Sequence, residues 1–260
     1  MSLITHPLVA GLVSAAQAAG QAILPYFRAG EEIAADAKSD GSPVTDADRA
    51  AEAVIIAALA VLDPATPVVA EEAMSAGGAP ARVGRRFWCV DPLDGTRQFV
   101  AGLPDFAVCI GLVEDEYPVL GVLHLPADGR VVVGGAGEVW QMAPDLRRLT
   151  PRPWPVAPVA VGSRSARPGS RTARWLAERG IADLRGMGSA WKFAELASGA
   201  ADIYYRPGET SEWDTAAGQA VLEAVGGRVV DLSGARLRYG KEGFRNTGFL
   251  ACTGDAPITL

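Results

Sequence analysis

The chain has 260 residues, of which 49% are hydrophobic and 21% charged, so it can bury a substantial core and is not globally disordered. Its formal net charge of −6 lacks the basic footprint of proteins that bind nucleic-acid polymers. It has no run of 18 or more apolar residues and no basic leader at its start, so we expect a cytoplasmic protein without a membrane span.

The first half of the chain is predicted to open with two helices. Apolar residues at helical spacing predict one helix over residues 7–29 and a second over residues 47–62. The polar residues 38–48 between them predict a loop or hairpin, and Thr45 or Asp46 is expected to cap the second helix. Short apolar runs, the last two in a meander, then predict strands at residues 67–70, 87–90, 107–113, 119–125 and 130–133.

A proline-rich block at residues 151–158 separates this region from the rest, because proline lacks the backbone donor that a central strand needs. We therefore predict two α/β halves, residues 1–150 and 151–260. In the second half, strands and helices are predicted at residues 159–163, 171–179, 191–197, 201–205 and 214–225. The meander argues against a purely parallel sheet, so the predicted class is α/β with mixed sheets.

The scarce residue types restrict the chemistry. The three cysteines form no CxxC pair, which disfavours a zinc site and favours a reducing compartment. Of the two histidines, His6 lies near the chain start and His124 in an apolar run, so a histidine-centred triad is disfavoured. We therefore expect chemistry that rests on carboxylates.

Three acidic clusters follow predicted strands or open a predicted helix. Glu71 and Glu72 end one strand, Asp91 and Asp94 follow the next, and Asp214 opens a helix. Acids at strand ends converge readily on one sheet edge, where layered α/β proteins commonly bind ligands. Each cluster alone is typical of a solvated pair, a turn or a helix start, whereas the three together predict one site.

The residues around the second cluster suit a divalent metal and a phosphate. Carboxylates held close together repel unless a cation neutralises them, and Mg²⁺ prefers such oxygen ligands together with phosphate. Pro92 stiffens the turn between Asp91 and Asp94, which can also present the Leu93 carbonyl as a ligand. Gly95 allows the backbone to approach an anion closely. Two such ions can stabilise both the attacking and the leaving oxygen of a phosphoryl transfer.

An aspartyl-phosphate mechanism is the competing interpretation of this motif. Phosphatases with an aspartyl nucleophile carry Asp-x-Asp-Gly-Thr after a strand, whereas two residues separate Asp91 from Asp94 here. The additional residue turns the second carboxylate away from the leaving group. This alternative is therefore disfavoured.

Together these residues resemble the inositol monophosphatase superfamily of metal-dependent, lithium-sensitive phosphatases. The matching motifs, in family order, are Glu71-Glu72, Asp91-Pro-Leu-Asp-Gly-Thr96 and Trp213-Asp214-Thr-Ala-Ala-Gly218. The likeness runs from about Lys38 to the C-terminus. It implies the layered α/β/α/β/α sandwich of the inositol monophosphatase and fructose-bisphosphatase type. It also implies two or three Mg²⁺ ions held by Glu71, Asp91, the Leu93 carbonyl, Asp94 and Asp214.

The resemblance also implies roles in catalysis. In this family an acid in an early Thr-x-x-Asp loop, matched here at residues 45–48, helps to hold the attacking water. The resemblance thus assigns catalytic roles to Asp48, Glu71 and Thr96, and phosphate contacts to the amides of Gly95 and Thr96. The products it implies are a free alcohol and inorganic phosphate, without a covalent phosphoenzyme.

Within the superfamily, the chain most resembles the 3'(2'),5'-bisphosphate nucleotidase branch of the CysQ type. The motifs of that branch are matched by Ser42-Pro-Val-Thr45, Asp94-Gly-Thr-Arg-Gln-Phe99, Gly162-Ser-Arg-Ser165 and Gly188-Ser-Ala-Trp-Lys-Phe193. A nucleotide with two phosphates needs cations away from the metals, and Lys192 and Arg206 are the candidates. The substrate contacts expected from this resemblance are Gly95, Thr96, Ser163, Arg164, Ser189, Lys192, Arg206 and Glu212.

We therefore expect a magnesium-dependent phosphatase that removes the 3'-phosphate of adenosine 3',5'-bisphosphate and so clears a by-product of sulfate assimilation. An inositol-1-phosphate or sugar-phosphate phosphatase is the alternative enzyme. A phosphate-ligand sensor that has lost turnover is the alternative without catalysis. The expected partner is a phosphorylated small molecule, and because homodimers are common in the superfamily, a homodimer is a candidate assembly.

Overall fold

The computed structural model describes residues 2–37, 43–78, 83–142, 145–258 and 260. Its α-helices are α1 (Pro7–Ile23), α2 (Asp46–Leu62), α3 (Glu71–Ser75), α4 (Thr96–Val100), α5 (Arg171–Ala177), α6 (Trp191–Ser198) and α7 (Ala216–Ala224). Short 3₁₀ turns cover Leu3–Thr5, Leu24–Tyr26 and Glu242–Phe244. The predicted helix over residues 7–29 therefore ends as an α-helix at Ile23, and Pro25 lies in the 3₁₀ turn that follows.

The strands of the first part of the chain are β1 (Asp36–Ala37), β2 (Pro43–Val44), β3 (Val68–Ala70), β4 (Arg86–Asp94), β5 (Ala107–Glu114), β6 (Tyr117–Leu125), β7 (Arg130–Gly135), β8 (Glu138–Met142) and β9 (Leu146–Leu149). The later strands are β10 (Val159–Gly162), β11 (Asp183–Gly186), β12 (Ile203–Arg206), β13 (Thr210–Ser211), β14 (Arg228–Asp231), β15 (Arg245–Asn246) and β16 (Phe249–Cys252).

The predicted polar hairpin pairs β1 with β2 in antiparallel fashion, and its tip, which includes Lys38 and Ser42, lies outside the described residues. Helix α2 follows at once. Thr45 is its N-cap: the Thr45 side chain accepts a hydrogen bond from Ala47 N at 3.2 Å, and Asp48 Oδ2 accepts one from Thr45 N at 2.8 Å. This capping box selects Thr45 over Asp46 as the cap.

Strands β3 to β9 form one sheet in chain order. Strand β3 is parallel to β4, and the remaining neighbours are antiparallel, which confirms that the sheet is not purely parallel. The five strands predicted in this region are all present. Strands β8 and β9 continue the meander beyond the predicted set.

The second large sheet has the order β11-β10-β12-β16-β14 and mixes parallel with antiparallel pairs. Residues 151–158 form no strand and connect the two sheets, as the prolines predict. Helix α7 comes from the second half of the sequence but packs on the first sheet. The division of the chain at residue 150 into two domains therefore stays a prediction.

Five layers stack through three apolar clusters. Helices α1 and α2 cover the outer face of the first sheet with Leu12 and Ile55, and α6 and α7 lie between the two sheets. Helix α5 covers the outer face of the second sheet, where Leu176 packs with Ile203. The order is α/β/α/β/α, which confirms the sandwich that the resemblance implies.

Gly111 in β5 allows α7 to lie directly on the first sheet. A Cβ at this position would lie 2.8 Å from the backbone nitrogen of Ala217 and 2.9 Å from Ala216 Cβ, so a side chain would force the helix outward. This close approach brings the start of α7, and Asp214 before it, over the strands that carry the other predicted acids.

Among the described residues, one helical stretch, Pro7–Tyr26, is long and apolar enough to cross a membrane by length and composition alone. Of the window that meets this criterion, 44% is buried inside the fold, because α1 packs on the first sheet. A single helix of this kind is weak evidence for a span, since core helices and signal sequences pass the same test.

Candidate active site

Three predicted acids meet at the junction of the two sheets. Ligand oxygens of Asp91, Asp94 and Asp214 all lie within 4.8 Å of one another. Glu71 lines the same cavity. The sequence separation between Asp91 and Asp214 is large, yet the fold brings their carboxylates together as predicted.

The pairing of β3 with β4 explains how Glu71 comes beside Asp91. The two strands are parallel, and Ala70 lies opposite Val90. The residues that follow these two, Glu71 and Asp91, therefore lie at the same edge of the sheet. The register of β4 against β5 then shifts between Asp91 and Asp94. This bulge lets two acids from one short stretch reach one site.

Hydrogen bonds fix the direction of each carboxylate. Asp91 Oδ1 accepts from Leu93 N at 3.0 Å, and Asp214 Oδ2 accepts from Ser211 N at 2.8 Å. Asp94 Oδ2 accepts from the backbone N–H of Ala190, which belongs to the second half of the chain. Each acid therefore keeps its position by backbone donors.

Burial and mutual repulsion disfavour ionisation of these acids. Burial, followed by the neighbouring charges of Glu71, Asp94 and Asp214, raises the pKa of Asp91 well above its usual range. Burial raises the pKa of Asp94 to about 6, against the favourable charge of Lys192. Burial, with Asp94 and Glu71, raises the pKa of Asp214 to about 8. A bound divalent cation relieves such repulsion.

The donor set fits a hard cation of the Mg²⁺ type. All of the candidate ligands are oxygens, four from carboxylates and one from the Leu93 carbonyl, and all five residues line the cavity. The described part of the site contains no histidine ligand, and Cys89 and Cys109 behind it are buried thiols whose pKa burial raises. Soft-metal sites are therefore disfavoured.

Thr96 and Asp48, to which the resemblance assigns catalytic roles, contact each other. Thr96 Oγ1 lies 3.1 Å from Asp48 Oδ1 and 3.1 Å from the Leu93 carbonyl oxygen. Asp48 Oδ2 accepts from Thr45 Oγ1 at 2.6 Å as well as from Thr45 N, and Asp48 is only 1% exposed. Asp48 is thus both the N3 residue of the α2 capping box and the partner of Thr96.

Glu52 is a supporting residue that the sequence analysis did not identify. Its carboxylate accepts from Glu72 N at 2.8 Å and from Ala73 N at 2.9 Å, two amides in the first turn of α3. The contact holds the turn that presents Glu71. Its position one helical turn after Asp48 on α2 is the only sequence signal for this role.

One cavity of about 290 Å³ contains most of the predicted site. Its lining includes Glu71, Asp91, Leu93, Asp94, Gly95, Thr96, Ser163, Ser189, Lys192, Arg206 and Asp214. The lining combines this acidic cluster with three cations, Arg97 at the start of α4 and Lys192 and Arg206 from the second half of the chain. Such a cavity suits a ligand that carries separate anionic groups.

Two cations of the second half of the chain line this cavity. Lys192 is 5% exposed; its Nζ donates to the Met187 carbonyl at 3.2 Å and lies 5.0 Å from the Tyr204 ring. Burial lowers the pKa of Lys192 to about 8. Arg206 has a buried Nε that finds no hydrogen-bond partner in the described part of the chain, while its Nη2 donates to the Glu209 carbonyl at 3.3 Å. A buried guanidinium donor without a partner is suited to an anionic ligand.

Two serines complete the second-half wall. Ser163 Oγ lies 2.8 Å from Ser165 Oγ after β10. Ser189 has a positive φ of 49°, which is unusual for a residue other than glycine, and its Oγ accepts from Trp191 N at 3.1 Å. The loop before α6 is therefore held in a strained conformation beside the acids.

Two predicted substrate contacts lie apart from the cavity lining. The Arg164 guanidinium forms an ion pair with Asp105, with Nε 2.6 Å from Asp105 Oδ2. Glu212 is completely buried and accepts from Gly240 N at 2.7 Å and pairs with Lys241 Nζ at 2.7 Å. Both side chains are committed to protein partners far along the chain, which the sequence motifs did not reveal.

The comparisons with known proteins agree with this geometry. The family model described as the inositol monophosphatase family matches residues 5–253. The 3'(2'),5'-bisphosphate nucleotidase CysQ of Salmonella typhimurium is 37% identical over 235 residues, 90% of this chain and 95% of that protein. A histidinol-phosphatase of Mycobacterium tuberculosis is 34% identical over 229 residues, 84% of this chain and 85% of that protein.

A solved structure supports the fold. The crystal structure of CysQ from Bacteroides thetaiotaomicron, described as a bacterial member of the inositol monophosphatase family, has a TM-score of 0.75 and 30% sequence identity. It covers 94% of this chain and 96% of that one. With the sandwich, the acidic cluster and the family match in agreement, this chain belongs to the inositol monophosphatase family.

Proposed function

We propose that this protein is a magnesium-dependent phosphatase that hydrolyses the 3'-phosphate of adenosine 3',5'-bisphosphate to give AMP and inorganic phosphate. The observation that carries the proposal is that one cavity holds both a cluster of carboxylates and the cations Lys192 and Arg206. The buried Nε of Arg206 has no hydrogen-bond partner among the described residues. The relatives named as 3'(2'),5'-bisphosphate nucleotidases support the choice of substrate.

The residues proposed to hold magnesium are Glu71, Asp91, Asp94, Asp214 and the Leu93 carbonyl. When bound, Mg²⁺ supplies Lewis-acid polarisation of the phosphoryl oxygens and lowers the pKa of water. We propose two or three ions, as in the family. Inhibition by lithium is the corresponding expectation.

The side chains of the first half are proposed to orient and deprotonate the attacking water. Thr96 Oγ1, whose direction the contact with Asp48 Oδ1 fixes, holds the water in line with the scissile bond. The Glu71 carboxylate accepts a proton from the water as the water oxygen bonds to phosphorus. The bond from phosphorus to the 3'-oxygen breaks, and that oxygen takes a proton from solvent water and leaves as the ribose hydroxyl. The amides of Gly95 and Thr96 bind the phosphate that is transferred.

The side chains of the second half are proposed to bind the phosphate that does not react. Lys192 and Arg206 line the same cavity as the acids but come from the second half of the chain, so they are the candidates for binding an anion beside the reacting centre. Ser163 and Ser189 offer hydroxyls in the same cavity. A compound with one phosphate leaves these cations unpaired, which disfavours its binding.

A second enzymatic activity deserves a direct comparison because one relative is named a histidinol-phosphatase and family neighbours include inositol monophosphatases. Inositol 1-phosphate, a sugar phosphate and histidinol phosphate are therefore the competing substrates. A cytoplasmic location, a homodimer and two domains at residues 1–150 and 151–260 remain parts of the proposal.

The decisive experiment is a phosphate-release assay on adenosine 3',5'-bisphosphate, adenosine 3'-monophosphate, inositol 1-phosphate, a sugar phosphate and histidinol phosphate, each with Mg²⁺ and with EDTA. We expect the highest kcat/KM on the bisphosphate and no release with EDTA. Faster turnover of any competitor overturns the substrate, and binding without turnover of any compound supports a sensor.

Substitution of Arg206 tests the proposed phosphate contact. Arg206→Gln is expected to raise KM for the bisphosphate about 10-fold to 100-fold, the value of a charged hydrogen bond, and to leave the 3'-monophosphate almost unaffected. Arg185→Gln is the matched control, because Arg185 pairs with Asp183 on the surface. Equal effects of Arg206→Gln on both nucleotides would refute the contact.

A further inference from the structure

Asp105 joins three loops around the cavity. It lies between α4 and β5, is 3% exposed, and accepts a two-pronged hydrogen bond from Arg164, with Nε to Oδ2 at 2.6 Å and Nη2 to Oδ1 at 3.0 Å. Asp105 Oδ2 also accepts from the backbone N–H of Gly188. One buried carboxylate of the first half therefore holds the loop after β10 and the loop before α6.

Two glycines in the loops packed around Asp105 have little or no room for a side chain. A Cβ at Gly188 would lie 2.6 Å from the Asp105 carbonyl oxygen and 2.6 Å from Gln98 Cγ. A Cβ at Gly186 would lie 3.2 Å from Arg164 Cα. Because the backbones are in direct contact, a shift at Asp105 is transmitted to residues 187–190.

Residues 187–190 carry groups on which both sides of the cavity depend. The N–H of Ala190 donates to Asp94 Oδ2, and the carbonyl of Met187 accepts from Lys192 Nζ. Ser189 lies between them with a positive φ. The segment therefore connects a carboxylate of the acidic cluster with the cation proposed to bind the second phosphate.

We propose that Asp105 and Arg164 form a clamp that positions residues 187–190, and that Arg164 acts through Asp105 and not by binding substrate. Both Nε and Nη2 of the Arg164 guanidinium donate to Asp105, and Arg164 does not line the cavity. The inference rests on the proposed phosphatase function. It assigns to two residues outside the acidic cluster a role in holding the substrate wall.

A double-mutant cycle separates positioning from direct binding. If the clamp exists, Asp105→Asn and Arg164→Ala each raise KM for the bisphosphate about 10-fold or more and change kcat less. Their effects on KM are not additive in the double variant. If Arg164 bound the phosphate itself, Asp105→Asn would free the guanidinium and leave KM unchanged or lower it. Arg164→Lys keeps the charge but cannot make the two-nitrogen contact with Asp105. Its KM is expected to lie between that of the wild type and that of Arg164→Ala.

Asp202→Asn is the matched control for loss of a buried ion pair. Asp202 is fully buried and accepts from Arg152 and from Val159 N, as Asp105 accepts from Arg164 and Gly188 N, but it lies outside the cavity lining. Thermal unfolding measures the stability of every variant, and the control is expected to lose stability without a change in KM. If Asp105→Asn does not fold, Arg164→Ala alone against Arg164→Lys still tests the clamp. An unchanged KM in Arg164→Ala overturns it.

The substrate does not decide this test. The cycle is run on whichever phosphomonoester the wild-type protein hydrolyses fastest, so a wrong substrate leaves the clamp testable. Absence of phosphate release from every compound refutes the proposed function. In that case, binding of inorganic phosphate to the same variants replaces KM, and equal affinity in Arg164→Ala and wild type overturns the clamp.

Discussion

The Thr96 hydroxyl lies 3.1 Å from Asp48 Oδ1, which joins the first turn of α2 to the end of the strand that carries Asp91 and Asp94. The two residues come from elements 48 positions apart, and Asp48 is almost completely buried. The contact therefore links the capping box of α2 to the acidic cluster.

Removal of the Thr96 hydroxyl is expected to abolish most activity while the protein remains folded. Thr96→Val keeps the shape of the side chain but removes a hydrogen-bond donor from the buried Asp48 carboxylate. We expect the free energy of unfolding to fall by about 1–3 kcal/mol and kcat to fall at least about 100-fold. Thr96→Ser keeps the donor and is expected to stay within about 10-fold of wild type. Steady-state kinetics with thermal unfolding measure both effects. Equal activity of the two variants would show that the hydroxyl is dispensable.

Glu71 and Glu72 provide a matched pair for the metal site. Only Glu71 lines the cavity, although both residues lie in the first turn of α3. Glu71→Gln is expected to weaken activation by Mg²⁺ strongly and to lower kcat at least about 100-fold, whereas Glu72→Gln is expected to leave both nearly unchanged. A magnesium titration of phosphate release provides the measurement. The reverse order would move the metal ligand to Glu72.

The sequence predicts the acidic cluster well because each acid belongs to a local motif at the end of a strand or the start of a helix. The partner of Arg164 was not predictable in the same way. Asp105 lies 59 residues earlier, and its only local signal is an acid after Pro104 before an apolar strand. Glu212 looked like a substrate ligand, but the fold places Lys241 beside it.

Two of the missed strands, β9 and β11, have a similar explanation. Strand β9 has the sequence Leu146-Arg-Arg-Leu149 and only its last residue is buried, so it lacks the apolar alternation that predicts a strand. Strand β11 is mostly exposed at the edge of the second sheet. Both segments form strands because they pair with a neighbouring strand, and their own composition does not favour a strand.

The metal-free protein is expected to lose stability as the pH rises from about 4 to about 8. Asp94 and Asp214 have pKa values of about 6 and about 8 in the folded protein, raised mainly by burial, whereas an aspartate in an unfolded chain titrates near 3.9. The folded protein therefore binds more protons than the unfolded chain over this range. The free energy of unfolding falls with pH as these protons are lost.

Urea denaturation in EDTA at pH 5, 6, 7 and 8 tests this dependence on wild type and Asp214→Asn. The variant is expected to gain stability relative to wild type by on the order of a few kcal/mol between pH 5 and 8. Burial lowers the pKa of His124, so its contribution to stability rises with pH near pH 6. His124 is present in both proteins, so this contribution cancels in the difference between their free energies of unfolding. A flat difference contradicts the prediction, and Mg²⁺ is expected to stabilise wild type more than the variant.

Gly95 is expected to be irreplaceable for activity, because it combines a left-handed backbone with a crowded site. Its φ is 94°, and a Cβ would lie 3.0 Å from the Asp105 carbonyl oxygen and 3.1 Å from Ser189 Cβ. Gly137 has a φ of 74° with nothing within 4 Å of its Cβ position, so Gly137→Ala pays only the backbone strain of about 1–2 kcal/mol.

Comparison of Gly95→Ala with Gly137→Ala therefore isolates the effect of crowding at the site. Both variants are expected to lose stability, but only Gly95→Ala is expected to lose activity, by at least about 100-fold, because the methyl group pushes the phosphate-binding turn away from residues 187–190. Thermal unfolding together with kcat and KM separates the two effects. Retention of wild-type kcat/KM in Gly95→Ala would mean that the turn can relax without disturbing the acids, so its backbone is not a fixed part of the site.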